Sequence, residues 1–115
     1  MNSVTVVGTG YVGLVTGTCL SEFGLQVVCM DTDTQKVQSL AEGRVPIHEP
    51  GLDQLVAKNV ASGRLRFTDD IAEAVAASPV IFIAVPTPPN EDGSADLKHV
   101  LAAAEAIANN MADRK

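Results

Sequence analysis

Tryptophan is absent from this chain, tyrosine occurs once and phenylalanine three times, and 8 lysines and arginines face 14 aspartates and glutamates. Neither a set of stacking aromatics nor a basic footprint is available, so nucleic acid is not an expected partner. Long hydrophobic runs are also missing. The longest, residues 80–85, has six residues, far short of the roughly 20 that a membrane-spanning helix needs. The opening Met1-Asn2-Ser3 and the short run Val4-Thr5-Val6-Val7 are too brief and too uncharged for a secretory signal. No membrane association is expected, and the cytoplasm is the expected compartment. The only cysteines, Cys19 and Cys29, match no zinc, CxxC or disulfide spacing. Both lie in apolar stretches, where a thiol acts as a small hydrophobe, and burial is expected for both. His48 and His99 have no second ligand at metal spacing; surface positions are expected for them, and no metal site.

What is present suits one folded domain. The 115 residues are 46% hydrophobic and 19% charged, ordinary values for a globular protein, and the length leaves no room for two complete domains. Val4-Thr5-Val6-Val7 reads as a buried strand ending at Gly8. A helix is expected from Val12 to Phe23, with Gly24-Leu25 as its stop. Val27-Val28-Cys29-Met30 then repeats the strand pattern and ends at Asp31, which completes a parallel β-α-β unit. Thr32 and Gln35 are spaced as a capping box for a second helix through Val37 and Leu40 to Gly43. Leu52, Leu55, Val56 and Val60 share one face of a third helix that Gly63 would end.

Leu65-Arg66-Phe67-Thr68 reads as a third strand, and Asp70 with Glu73 as a capping box for a short Ala-rich helix. The run Val80-Ile81-Phe82-Ile83-Ala84-Val85 is the most apolar in the chain and reads as a fully buried fourth strand, ended by Pro86, Pro88 and Pro89. Leu97, Val100, Leu101, Ala104, Ile107, Ala108 and Met111 then trace one face of a last helix. Alternating strands and helices give an α/β class: a Rossmann-type doubly wound parallel sheet. Of the full order 3-2-1-4-5-6, the chain would supply 3-2-1-4 and stop, truncated after about four strands. The fourth strand would then present an unpaired edge with no charge or proline before Pro86, and self-association through residues 80–85 is expected.

Gly8-Thr9-Gly10-Tyr11-Val12-Gly13 is a complete G-x-G-x-x-G. Alone it is weak; here it leaves a strand, opens a helix, and is followed by Asp31, 18 residues beyond Gly13, near the spacing of about 20 in dinucleotide-binding proteins. Gly8 would make the tight turn, Gly10 would admit the pyrophosphate to the backbone, and Gly13 would let the helix approach the strand. Free N–H groups at the helix start, carrying about half a positive charge, would hold the diphosphate without a basic side chain. Asp31 would accept both adenosine ribose hydroxyls and repel the 2′-phosphate of NADP, so NAD is the expected cofactor. Lys36, one turn into the next helix, either reaches that ribose or is a solvated lysine. Val85-Pro86-Thr87 sits at the carboxyl end of the fourth strand, where ligands of open α/β sheets bind; Thr87 is either a cofactor or substrate contact or part of a rigid turn.

With these residues in place the chain resembles the UDP-glucose/GDP-mannose dehydrogenase family over essentially its whole length. The carriers are Gly8-Thr9-Gly10-Tyr11-Val12-Gly13-Leu14, Pro46-Ile47-His48-Glu49-Pro50-Gly51-Leu52, Ser62-Gly63-Arg64-Leu65, and Phe82-Ile83-Ala84-Val85-Pro86-Thr87-Pro88-Pro89 continuing through Glu91-Asp92-Gly93-Ser94-Ala95-Asp96-Leu97. The glycine motif is shared by many dehydrogenases; the Glu-Pro-Gly-Leu and Thr-Pro-Pro segments are more specific. The resemblance implies an oxidoreductase of nucleotide-sugar metabolism, serving polysaccharide biosynthesis, that oxidises a sugar C6 alcohol (UDP-glucose to UDP-glucuronate) with two NAD and a cysteine thioester. It also implies NAD contacts at Val12, Asp31, Lys36 and Thr87. The candidate cofactor set is thus Gly8, Gly10, Tyr11, Val12, Gly13, Asp31, Lys36, Val85, Pro86 and Thr87. Pro86 departs from the glycine that many relatives carry there.

Family members are several times longer, and neither Cys19 nor Cys29 matches the nucleophile. The resemblance therefore implies that residues 1–115 are an incomplete NAD-binding domain without catalytic residues. The nucleotide-sugar site would lie in domains beyond Lys115, the parent would be a homo-oligomer, and the isolated chain would bind NAD weakly and not turn over. Alternatives are another NAD-dependent dehydrogenase, of GDP-mannose or β-hydroxyacid type, and a non-catalytic NAD-sensing module.

Overall fold

The computed structural model of the chain describes residues 2–45 and 49–111; His48 lies outside them. Strand β1 (Ser3–Val7) leads through the glycine turn into helix α1 (Tyr11–Glu22) and strand β2 (Gln26–Met30). Helices α2 (Thr34–Ala41) and α3 (Leu52–Ala61) precede strand β3 (Leu65–Thr68); helix α4 (Ile71–Ala76), strand β4 (Ile81–Ile83) and helix α5 (Lys98–Asn109) follow. All strand pairs are parallel, in the order β3-β2-β1-β4, as the strand and glycine pattern implies.

Strand residues alternate between two faces of the sheet. Val4, Val6, Val27, Cys29, Leu65 and Phe67 form one core with Leu14, Val37, Leu40, Leu52 and Val56 from α1, α2 and α3. Val7, Val28 and Met30 form the other with Ala74 and Val75 of α4 and Ile107 of α5. Thr5 falls on the second face and is fully buried; its hydroxyl donates to the Ala74 carbonyl at 2.8 Å, which satisfies it and pins α4 to β1.

Helix α1 approaches the sheet closely because its inner face is small. It buries Gly13, Leu14, Gly17, Thr18 and Ser21, while Val12 and Cys19 are exposed. A Cβ on Gly17 would stand 2.6 Å from Cys29 Sγ. Gly24, at φ +100°, ends the helix: its N–H donates to the Ser21 carbonyl and that of Leu25 to the Leu20 carbonyl, the paired bonds of a Schellman motif. Arg64 fastens α3 to this end, its Nε donating to the Ser21 carbonyl and to Asn59 Oδ1.

Several expectations need correction. Cys19 is not buried; the side of α1 that meets the sheet is chosen for size rather than polarity, and Cys19 lies off it. Cys29 is buried, and desolvation pushes its thiol up to about 12. A disulfide reagent at pH 8 is therefore expected to modify Cys19 alone in the native protein and Cys29 only after unfolding. Equal rates at the two thiols would contradict this packing.

The second helix is capped by Asp33, whose side chain accepts from Lys36 N–H, and not by Thr32. Asp31 Oδ1 accepts from Asp33 N–H and folds residues 31–33 into an Asx turn, which moves the helix start one residue on. Asp70 does cap α4, accepting from Ala72 and Glu73 N–H. Glu73, however, does not return to Asp70: it accepts from Arg66 Nη1 and from the Thr68 hydroxyl, and the Asp70 N–H donates to Thr68 Oγ1.

β4 spans only Ile81–Ile83, although backbone bonds reach Val80 and Ala84. Nor is it fully buried: Phe82 is 45% and Ile83 38% exposed, because β1 covers only one of its edges. The last helix divides its apolar arc. Ile107 and Ala103 pack on the second core, whereas Leu97, Leu101 and Met111 are exposed.

Candidate functional site

The carboxyl ends of β1, β2 and β4 meet around the glycine turn. The Gly8 N–H donates to the Met30 carbonyl at 2.7 Å and so continues the sheet one residue past β1. At φ +110° Gly8 occupies a backbone region that L side chains rarely adopt. A Cβ there would also stand 2.4 Å from the Ala84 carbonyl oxygen and 3.1 Å from Val85 N. The turn is therefore pressed against the segment that leaves β4, which brings the Val85 backbone beside Gly8. Val85 is half-buried in the second core, while Pro86 and Thr87 follow it in exposed positions. The Thr87 hydroxyl makes no side-chain hydrogen bond among the described residues.

Gly13 is held for a different reason. Its Cβ would lie 2.0 Å from the Gly8 carbonyl oxygen, so the first turn of α1 can rest on the loop only with hydrogen there. Gly10 is the N-cap of α1, has an ordinary φ of −68°, and offers no side-chain cap. A Cβ on it would meet nothing within 4 Å. Backbone strain does not require glycine here; the open space above the helix start does, if a ligand's phosphates are to reach the N–H groups. Tyr11 and Val12 flank that space, and Val12 is 66% exposed. The Tyr11 hydroxyl donates to Glu49 Oε2 at 3.4 Å.

Asp31 follows β2, its N–H donating to the Thr68 carbonyl at 3.1 Å. Its carboxylate reaches back to the turn. Oδ2 accepts from Thr9 N–H at 3.0 Å and from the Thr9 hydroxyl at 2.6 Å, and Oδ1 accepts from Asp33 N–H at 3.0 Å. Lys36 Nζ stands 3.8 Å from Oδ2. Partial burial pushes this carboxyl up, but the Thr9 and Asp33 hydrogen bonds and the Lys36 charge outweigh that and hold it below its ordinary value. A depressed carboxyl contributes stability above its unfolded-state value, and the contribution is lost as pH falls through the lower folded value. At neutral pH Asp31 is an anion with fixed orientation.

The structure thus brings Gly8, Gly10, Gly13, Asp31, Lys36 and Val85 around one crevice. It also shows two residues that sequence reasoning passed over. Thr9 is fully buried between two glycines; its only signal was being a hydrogen-bonding residue inside the motif. Gly17 extends the close approach of Gly13 by one helical turn, and the four-residue spacing of the two glycines was the available signal. Among the described residues no group of three histidines, cysteines or acids could hold a metal, and no helix is long and apolar enough to cross a membrane. The crevice suits a dinucleotide: open backbone amides for a diphosphate and an oriented carboxylate for a ribose.

Residues 2–115 match the UDP-glucose/GDP-mannose dehydrogenase family, NAD binding domain. A UDP-glucose 6-dehydrogenase of Rhizobium meliloti is 60% identical over 109 residues, covering 94% of this chain and 25% of that protein. The UDP-glucose 6-dehydrogenase TuaD of Bacillus subtilis is 53% identical, covering 96% of this chain and 24% of its own length. Among solved structures, a UDP-glucose dehydrogenase from Pyrobaculum islandicum superposes with a TM-score of 0.91 at 45% identity, over 96% of this chain and 26% of that one. The chain spans about a quarter of the length of these relatives.

Proposed function

Since the chain belongs to the UDP-glucose/GDP-mannose dehydrogenase family, as its NAD-binding domain, we propose that its crevice holds NAD for the oxidation of a nucleotide sugar. The proposed substrate is UDP-glucose, taken from the C6 alcohol to the carboxylate in two NAD-dependent steps. The names of the Rhizobium meliloti and Bacillus subtilis relatives support this choice over GDP-mannose. NAD, when bound, would supply the hydride acceptor. The residues here would bind and orient it: the α1 amides above Gly10 would hold the diphosphate, and Asp31 with Lys36 the adenosine ribose. Tyr11 and Val12 would flank it, and Val85, Pro86 and Thr87 would border its nicotinamide end.

No residue of this chain is assigned to proton transfer or covalent catalysis. Residues 1–115 are proposed to be part of a larger protein whose other domains bind the sugar nucleotide. Assembly as a homo-oligomer and a cytoplasmic location complete the reading.

The observation that carries the assignment is the ionised Asp31 carboxylate, held across the glycine turn beside the open start of α1. An Asp31→Ala change in the full protein is expected to weaken NAD binding by roughly 10- to 100-fold, as loss of a charge-assisted contact does. The same change should lessen the preference over NADP, whose 2′-phosphate no longer meets a negative charge. Calorimetric titration with both dinucleotides checks it. Unchanged NAD affinity, or a wild-type protein that binds NADP equally well, would remove Asp31 from the reading.

A further inference from the structure

We infer that Thr9 is a positioning residue that clamps one oxygen of Asp31 and so fixes which carboxylate oxygen meets the ribose. The inference rests on the NAD reading above and refines it. A carboxylate has about four acceptor sites, two on each oxygen. Oδ2 receives two donors from a single residue, the Thr9 N–H at 3.0 Å and the Thr9 hydroxyl at 2.6 Å. Lys36 Nζ approaches the same oxygen at 3.8 Å. Oδ2 is therefore filled by the protein. Among the described residues Oδ1 receives only the Asp33 N–H, and one acceptor site on it remains for a ligand. Oδ1 is thus the oxygen through which Asp31 meets the ribose.

Thr9 is suited to this role by its place in the chain. It lies between Gly8 and Gly10 and is fully buried, so its hydroxyl cannot turn to water. Its two donors approach one oxygen from two directions, which stops the carboxylate from rotating about its terminal bond. Among the described residues Lys36 on α2 is the charged group that pairs with Asp31. The contacts from the end of β3, at the Thr68 carbonyl, and from the α2 cap, at Asp33 N–H, are backbone. The hydroxyl bond is one of the influences that hold the Asp31 carboxyl low.

The test uses the full protein, NAD as the probe, and three variants. Thr9→Val removes the hydroxyl at nearly constant shape, and Thr9→Ser restores it. Thr9→Ala removes it without a second methyl should valine fold poorly. Two readouts are taken: NAD affinity by calorimetry from pH 4 to 8, and the Asp31 carboxyl titration by carbon-detected NMR without NAD. Thr9→Val and Thr9→Ala are expected to lose about tenfold in NAD affinity, the size of one charge-assisted hydrogen bond. Their Asp31 midpoint should rise, so NAD binding weakens at a higher pH than in the wild type. Thr9→Ser should restore both. Thr9→Val with wild-type affinity, an unmoved Asp31 midpoint, or equal impairment of the serine variant would each overturn the clamp. The NMR titration judges Thr9 even if the wild type fails to bind NAD, a result that would instead sink the proposed function.

Discussion

Replacing Gly13 by alanine is expected to cost a large share of the protein's stability, while replacing Gly10 by serine leaves the fold intact and removes NAD binding. The two glycines lie in one motif, but the structure assigns them opposite duties. At Gly13 the added carbon would stand 2.0 Å from the Gly8 carbonyl oxygen and 2.9 Å from its carbon. Both are backbone atoms of a turn already pressed against Ala84, so neither can yield by changing rotamer. α1 would have to lift from the loop, taking Leu14 and Gly17 out of their contacts with β1 and β2. Overpacking without an escape falls among the severe mechanisms, on the order of 3–5 kcal/mol, against a total of about 5–15 kcal/mol for a domain of ordinary stability. At Gly10 the carbon meets nothing, φ is ordinary, and serine is a favoured N-cap. Its side chain would occupy the space proposed for the pyrophosphate. Urea midpoints and NAD titrations of the two variants separate these effects. A Gly13→Ala protein with the wild-type midpoint would show that the turn is softer than its contacts indicate, and a Gly10→Ser protein with full NAD affinity would displace the diphosphate from this helix start.

Sheet order and the crevice were legible because their signals are local. The β-branched runs, the glycine stops at Gly24 and Gly63, and Asp31 at the end of the second strand each act within a few residues. Less legible were features decided by competition or by distance. Thr32 and Asp33 are both good caps; Asp31 decided between them by turning its carboxylate toward Asp33 N–H. On α1 the usual rule is inverted, since Thr18 and Ser21 are buried while Val12 is exposed. Close helix-to-sheet approach selects small side chains, and no hydrophobic periodicity records that. The Thr9–Asp31 clamp spans 22 residues and is visible only once β1 and β2 lie side by side. The exposed half of α5 has the same origin: periodicity shows that a residue is apolar, not which neighbour will cover it.

Purified at micromolar concentration, the 115-residue chain is expected to sediment as a self-associated species rather than a monomer. Among the described residues no strand pairs with the outer edge of β4, and the run from Val80 to Val85 carries none of the charges, prolines or bulges that blunt natural edges. Beside that edge the structure exposes Phe82 and Ile83, and at the start of α5 the N-cap Leu97 and Leu101, four residues apart, are exposed. An edge of three strand residues is too small alone for a specific interface, which buries about 1,200–2,000 Å²; the apolar stripe on α5 supplies further surface. A two-fold axis would pair β4 with β4 antiparallel, the self-complementary arrangement that closed dimers use. The formal charge of −6 opposes association, so added salt should favour it by shortening the range of that repulsion. Phe82→Lys would place two like charges close together at the paired edge while changing an already half-exposed position. It is expected to give a monomer with nearly the wild-type urea midpoint. Sedimentation equilibrium of both proteins at two salt concentrations decides the matter: a wild-type chain that stays monomeric at high salt would mean that β4 and α5 tolerate water without a partner.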